Sequence, residues 1–346
     1  MWFRWRVGCK RGAGGWGPGA GALAVLFVAG ALGAATRPHY GGTLRVEMRE
    51  AIETPDPPQS GPGMADLSAA FTITRWEAGA HAVFAADENA AGGRPFLDGV
   101  EVTMGRPLRD QSIDLESGRA DIVELTAAEL RRQPASRKIW TSSPVRVVAL
   151  VFAPHIEDAR LREALALAVD RAAIHNVLLQ RQGEISGALL PQWLSGYAFV
   201  FPVAQDLGRA RALAGPARTL TLGVDDPVLR PIADRIALNA RDAGLTVSVS
   251  AQASNADVRL TEARIVSNDG MRALAGLAAA FGLPAPGPSA DGLYGSERAL
   301  LEGYRVVPLF HLPVVYGVSP RVKGGPGVTP LGEWRFENLW IEGGRP

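Results

Sequence analysis

The pattern becomes readable at Gly42–Met48 (GTLRVEM), where apolar and polar residues alternate with the period of two that a half-buried strand requires. A Pro- and Gly-rich stretch from Thr54 to Gly63 follows and reads as a loop. Phe71–Trp76 and His81–Ala86 read as two strands across the turn Glu77–Ala80, and Val100–Met104 as another. From Leu108 the spacing becomes helical, through Ile113 and Leu115 to Gly118, and Ala120–Leu125 returns to an extended apolar run. The first third is therefore mixed α and β.

Val145–Phe152 (VRVVALVF) is apolar on both faces, which predicts a strand in the middle of a sheet. The clearest helix comes next. Asp158 can cap it, Leu161, Leu165, Ala168, Val169 and Ala172 keep one face apolar, and the pattern carries it to about Gln180–Gly183. Thr219–Val224 alternates, Asp225 and Asp226 can cap a helix over Val228–Ala243, Gly244 stops it, and Leu245–Val249 alternates again. This β-α-β order predicts parallel strands joined by a right-handed crossover. Further helices are expected over Met271–Phe281 and Gly292–Glu302, and strands over Val306–Phe310, Val314–Val318 and Arg335–Ile341. Helix-poor ends around an α/β middle imply a chain that leaves one lobe, builds a second and returns, with a cleft between them.

The segment before this region changes the picture most. Arg4, Arg6, Lys10 and Arg11 precede an apolar run from Gly21 to Ala35 that ends in small residues, as in a secretory signal peptide cleaved near Ala34 or Ala35. A spanning anchor needs about 20 apolar residues, and this run is shorter and interrupted by glycines. Removing residues 1–35 takes away those four cations and no acid, so the formal charge falls from +1 to −3. Cys9 precedes the apolar run, which excludes it as a lipidated cleavage-site residue. No cysteine follows it to supply a disulfide or thiolate chemistry. The basic residues form no phosphate-tracking run, so nucleic acid is not an expected partner.

Candidate chemistry is sparse. The five histidines, His39, His81, His155, His175 and His311, show no spacing that puts two ligands on one helix face, so no metal site is expected. No Gly-x-Ser-x-Gly elbow occurs, and Gly61-Pro62-Gly63 lacks the Gly-Lys-Ser/Thr of a phosphate loop. No catalytic residue is assigned. Trp76, Trp140, Trp193, Tyr197 and Tyr316 fall at element ends or in loops, where a ring can line a cleft or finish a core.

Several segments carry a resemblance. They are GGTLRV at Gly41–Val46, FTITRWEAG at Phe71–Gly79 followed by GGRPFLDGVEVTM, and SGRADIVEL at Ser117–Leu125. With them stand DARLREALALAVDRAAI at Asp158–Ile174 and VVPLFHLPVVYGVSPRVKG at Val306–Gly324, with Asn338-Leu339-Trp340 beyond. In this order they resemble the family 5 extracellular solute-binding proteins, which bind peptides, nickel complexes, opines and related solutes. The fourth segment is the most specific, matching the family's Val-Arg-x-Ala-x-x-x-Ala-Ile-Asp-Arg helix through Leu161-Arg162, Ala164 and Ala168-Val169-Asp170-Arg171.

The resemblance implies an α/β, two-lobed fold of the type II periplasmic-binding-protein kind. Lobe one would span 36–144, lobe two 145–311, and 312–346 would return to lobe one. The interval from Met48 to Phe71 is much shorter than in the family, so lobe one is reduced. The implied function is that of an exported, periplasmic and monomeric component of an ABC importer. It would bind a peptide or similar solute without cofactor or catalysis and deliver it to a membrane permease. Alternatives are a sensor uncoupled from transport, a degenerate binding protein, or an exported enzyme of another class. Expected ligand contacts are Trp76, Trp193 and Tyr197. Asp269 joins them because the segment IVSNDG stands where the family carries an acidic group for the ligand's amine.

Overall fold

The computed structural model describes residues 37–54, 67, 70–215 and 219–343, and the elements below belong to the unit Pro38–Pro346. The expected signal peptide and the Gly61–Gly63 turn lie outside the described residues. Strand β1 (Thr43–Glu47) buries Leu44 and Val46 on one face, as its alternation requires. The hairpin β2 (Phe71–Glu77) and β3 (His81–Ala86) leads to β4 (Gly99–Thr103) and helix α1 (Leu108–Glu116). Then come β5 (Ile122–Glu124) and the short helix α2 (Ala127–Leu130). Thr126 and Glu129 close α2 with a reciprocal capping box.

Strand β6 (Lys138–Phe152) is twice the expected length and starts seven residues earlier than its apolar run. The helix expected from Asp158 to about Gln180 is two helices, α3 (Ala159–Ala168) and α4 (Arg171–Val177). Val169 is extended between them. Asp170 caps α4 through the Ala173 N–H at 2.8 Å, and its own N–H donates to Asn239 Oδ1 at 3.2 Å. β7 (Glu184–Ile185), α5 (Gln192–Ser195) and α6 (Leu207–Ala214) follow. β8 (Thr219–Gly223), α7 (Arg230–Asp242) and β9 (Thr246–Ser250) form the expected β-α-β unit, with β8 and β9 parallel. α7 begins later than expected and its Leu229 N-cap gives no side-chain bond. Asp226 instead accepts from the Val228 N–H at 2.9 Å and Asp225 from the Ala253 N–H at 2.8 Å.

The chain continues through β10 (Val258–Arg264), α8 (Gly270–Ala280) and α9 (Gly292–Leu301). β11 (Val306–Val318) joins the two strands expected around Leu312–Pro313, and β12 (Val322–Lys323) and β13 (Trp340–Ile341) pair separately. Among the described residues the main sheet has the order β2-β3-β4-β1-β5-β11-β6-β10-β8-β9, with β7 also on β11. β1 lies parallel to β4 and β5, and β10 parallel to β8.

The antiparallel ribbon β6/β11 connects the two halves of the sheet. Its Val318–Val315 end pairs with Lys138–Thr141 and also meets β5, whereas Arg146–Phe152 pairs on its other edge with β10. Register shifts around Pro313 mark the middle, opposite Pro144. Proline cannot donate to a ladder, so other groups take over there. Val314 N–H donates to Ser142 Oγ at 2.8 Å, Ser143 N–H to the Pro330 carbonyl at 3.0 Å, and Trp193 Nε1 to the Pro144 carbonyl at 3.0 Å.

One apolar core combines β1, β3 and β4 with α8, α9 and the C-terminal aromatics, where Trp334 stacks on Phe336 at 5.4 Å and meets Tyr316 edge-on at 6.3 Å. A second lies between the β6–β10–β8 sheet and helices α3, α4 and α7. Among the described residues no helix is long and apolar enough to cross a membrane.

Candidate functional site

Parallel strands of a layered sheet end in loops that carry side chains outward, and ligands of such sheets lie beyond the carboxyl ends of the strands. Here two sets of strand ends face each other. Arg49 and Glu50 follow β1, Arg106 follows β4, and Glu124 ends β5. Asp225 and Asp226 follow β8 from the other half of the sheet. With Arg146 of β6, Glu262 and Arg264 of β10 and Val314 of β11 they line a cleft of about 1170 Å³. An adjoining hollow of about 480 Å³ shares Arg49, Glu124 and Glu262 and adds apolar walls from Leu125, Leu229 and Ile232.

Ion pairs span the cleft. Arg49 Nη1 lies 2.5 Å from Asp226 Oδ2 and Nη2 lies 3.5 Å from Glu262 Oε1, while Arg146 Nη1 stands 3.7 Å from the same Glu262 oxygen. Burial pulls the Arg49 pKa down, and the hydrogen bond and charge of Asp226 reverse this and raise it. Glu124 is pushed up by burial, against the pull of the Arg49 N–H that it accepts at 2.7 Å. Glu50 is raised by burial and then by the charge of Glu124. Arg146 Nε is buried without a partner. The cleft therefore offers both signs of charge, held in pairs that a charged ligand can exchange with, beside an apolar wall. At the end of β8, Gly223 admits a close backbone approach, since a Cβ there would stand 2.5 Å from Ala253 Cα.

The four residues expected from sequence stand elsewhere, and none is among those lining the cleft. Trp76 lies on β2 at the sheet edge and donates to the Glu53 carbonyl at 3.3 Å. Trp193, 38% exposed, braces the Pro144 carbonyl. Tyr197 donates to buried Glu297 and packs edge-on against Tyr294 at 5.1 Å. Asp269 caps α8, accepting from the Arg272 N–H at 2.8 Å. Of the four, only Trp193 and Tyr197 stand close in sequence, the first in α5 and the second just past its C-cap Gly196. Sequence reading missed Arg49, Glu124, Arg146 and Glu262. For Arg49 and Glu124 the available signal was their place at or just past a strand end, which for Asp225 and Asp226 was read as capping; Arg146 and Glu262 lie within β6 and β10, where no such signal exists.

The fold has known counterparts. Residues 50–296 match the family described as bacterial extracellular solute-binding proteins, family 5 middle. The chain belongs to that family. Solved structures agree in fold at low identity. An ABC transporter substrate-binding protein, CtaP from Listeria monocytogenes, is 15% identical over 79% of this chain and 66% of its own, with a TM-score of 0.63. The oligopeptide-binding protein AppA from Bacillus subtilis, in complex with a nonapeptide, is 15% identical over 79% and 66%, with a TM-score of 0.61. NikA from Staphylococcus aureus, in complex with Ni(L-His)2, is 14% identical over 79% and 68%, with a TM-score of 0.64. The chain thus covers 66% of the first two of these solved relatives. No curated protein sequence matches it. As a family 5 protein it has the expected mixed α/β fold of the type II periplasmic-binding kind.

Proposed function

We propose that this family 5 protein is an exported, monomeric solute-binding component of an ABC importer, without catalytic activity. In this reading lobe one (36–144) and lobe two (145–311) close over a small solute, with 312–346 returning to lobe one. The observation that carries the proposal is the cleft at facing strand ends, spanned by the Arg49–Asp226 and Arg49–Glu262 pairs. A solute with an ammonium group takes over Asp226 and Glu262, one with a carboxylate takes over Arg49 and Arg146, and its apolar portion lies on Leu125, Leu229 and Ile232. A short peptide carries all three features. The relatives solved with a nonapeptide and with a nickel–histidine complex lend support to that class of ligand. The solute would then pass to a permease in the inner membrane.

The test is a melting screen of purified protein against short peptides, opines, sugars and nickel chelates. At a hundredfold excess over Kd a ligand stabilises the folded state by about 2.7 kcal/mol. In a chain above about 150 residues this raises Tm by several degrees. Arg49→Ala should abolish the shift. Absence of any shift across the screen rejects binding and favours the degenerate-protein reading, and a true ligand without a neighbouring permease gene favours the sensor. Contact of Trp76, Trp193, Tyr197 or Asp269 with solute is a separate expectation, read from whether each alanine variant loses the shift.

A further inference from the structure

Arg171 opens α4 and is only 4% exposed, yet among the described residues no carboxylate pairs with it. Nη1 donates to the Ala166 carbonyl at 3.1 Å and Nη2 to the Pro308 carbonyl at 3.3 Å, while Nε has no partner. Arg162, buried nearby on α3, differs. Its Nε and Nη1 both end on carbonyls, at 2.7 Å from Gly303 and 2.6 Å from Ile156. A buried guanidinium without counter-charge is costly, and burial lowers that of Arg171 to about 10. The Ala166 carbonyl, in the last turn of α3, offers only partial negative charge and leaves the Nε proton unmet.

Arg171 faces a cavity of about 50 Å³ whose wall includes Ala166, Gly187, Phe201 and Tyr304, with exposed Pro202 and Arg209 at its edge. A water needs about 10–15 Å³, so this space suits a halide-sized ion and a water, and excludes a peptide. Two features hold the wall open. Phe201 stacks on Tyr304 at 5.1 Å, Tyr304 being held at φ +59, and Gly187 admits the Phe201 carbonyl where a Cβ would come within 2.4 Å. The charges are Arg171, Arg209 and Glu163. Arg209 pairs with Glu163, which Tyr304 also faces, so the cavity keeps a surplus positive charge.

We propose that this cavity, apart from the solute cleft, binds a small monovalent anion of halide size between the Arg171 guanidinium and Arg209. The anion supplies the counter-charge that Arg171 lacks.

Bromide is the probe. A bromide titration of the whole protein, followed by halide NMR line broadening, should saturate, and crystals grown in bromide should show anomalous density in the cavity beside Arg171. Arg171→Met should remove both. Should that variant fail to fold, the exposed pair decides. Glu163→Gln frees Arg209 and should lower the half-saturating bromide about threefold to fivefold, and Arg209→Gln should raise it by a similar factor. Water or empty density beside Arg171 at saturating bromide overturns the proposal, as does half-saturation unmoved by both exchanges.

Discussion

The two halves of the sheet hold their arginines in different ways. In the first half, guanidinium groups meet carboxylates. Arg45 Nε lies 3.0 Å from the fully buried Asp121, which Arg321 also approaches at 3.9 Å, and Arg106 and Arg119 both bind the buried Asp114. In the second half, Arg162, Arg171 and Arg305 end on main-chain carbonyls, Arg305 on those of Ala153, Pro154 and Ile156. Acids there cap helices instead, as Asp158, Asp170 and Asp206 do. A paired charge is hostage to its partner, whereas a carbonyl-held one fastens loops and helix ends. Electrostatic change should therefore act globally in the first half and locally in the second.

The sharpest test is Asp121→Ala. It leaves Arg45 uncompensated and the Arg45 N–H, now 3.1 Å from Asp121 Oδ2, without an acceptor. A loss of about 3–5 kcal/mol in urea-unfolding stability is expected. Arg162→Met should come next, at about 2–3 kcal/mol, because it leaves the Gly303 and Ile156 carbonyls short of donors while keeping most of the buried volume. Hydrogen exchange in that variant should rise first around Ile156 and Gly303, and uniform exchange across the chain would remove the local–global distinction.

Titration separates the halves by sign. Glu47 in the first is raised from 4.5 to about 7, by burial first and then by the charge of Asp114. Its folded form binds a proton the unfolded chain has lost, so its contribution is complete below about 4.5 and fades as pH rises towards 7. His311 in the second is lowered from 6.5 to about 4 by burial, though Leu189 accepts a hydrogen bond from it. Its contribution is complete above 6.5 and fades as pH falls towards 4. The slopes oppose between 4.5 and 6.5, so net stability should vary by only about 1–2 kcal/mol there. Glu47→Gln should expose the His311 slope alone, and an unchanged profile in chemical denaturation would refute this assignment. The smallest effect belongs to Arg230→Ala, which breaks an exposed pair with Asp234 on α7 and should cost about 0.3–0.5 kcal/mol.

Local pattern and tertiary context can be separated at particular residues. Period-two alternation at Thr43–Glu47 and the β-α-β order from Thr219 to Ser250 were readable because side-chain direction repeats along the backbone itself. The break after Ala168 was not, since the apolar period runs on through Val169 and Ala172. Asn239 of α7, holding the Asp170 N–H, decides against a continuous helix. Likewise two strands were expected, Val306–Phe310 and Val314–Val318, yet β6 bulges opposite Pro313 and the strand continues.

Residue types and short-range spacing were enough for the α/β class, the family and the absence of cysteine after Cys9, and for much of the element order, though not for β10 or α6. Tertiary structure alone decided the site. Arg49 and Asp226 are 177 residues apart and Arg49 and Glu262 are 213 apart, and no local pattern marks either pair. Their meeting depends on which strands become neighbours in the sheet and on the β6/β11 ribbon that sets the two groups of strand ends face to face. Charge neutralisation is non-local for the same reason. An arginine in a helix pattern reads identically whether its guanidinium ends on a carboxylate, a carbonyl or, as at Arg171 Nε, on nothing among the described residues.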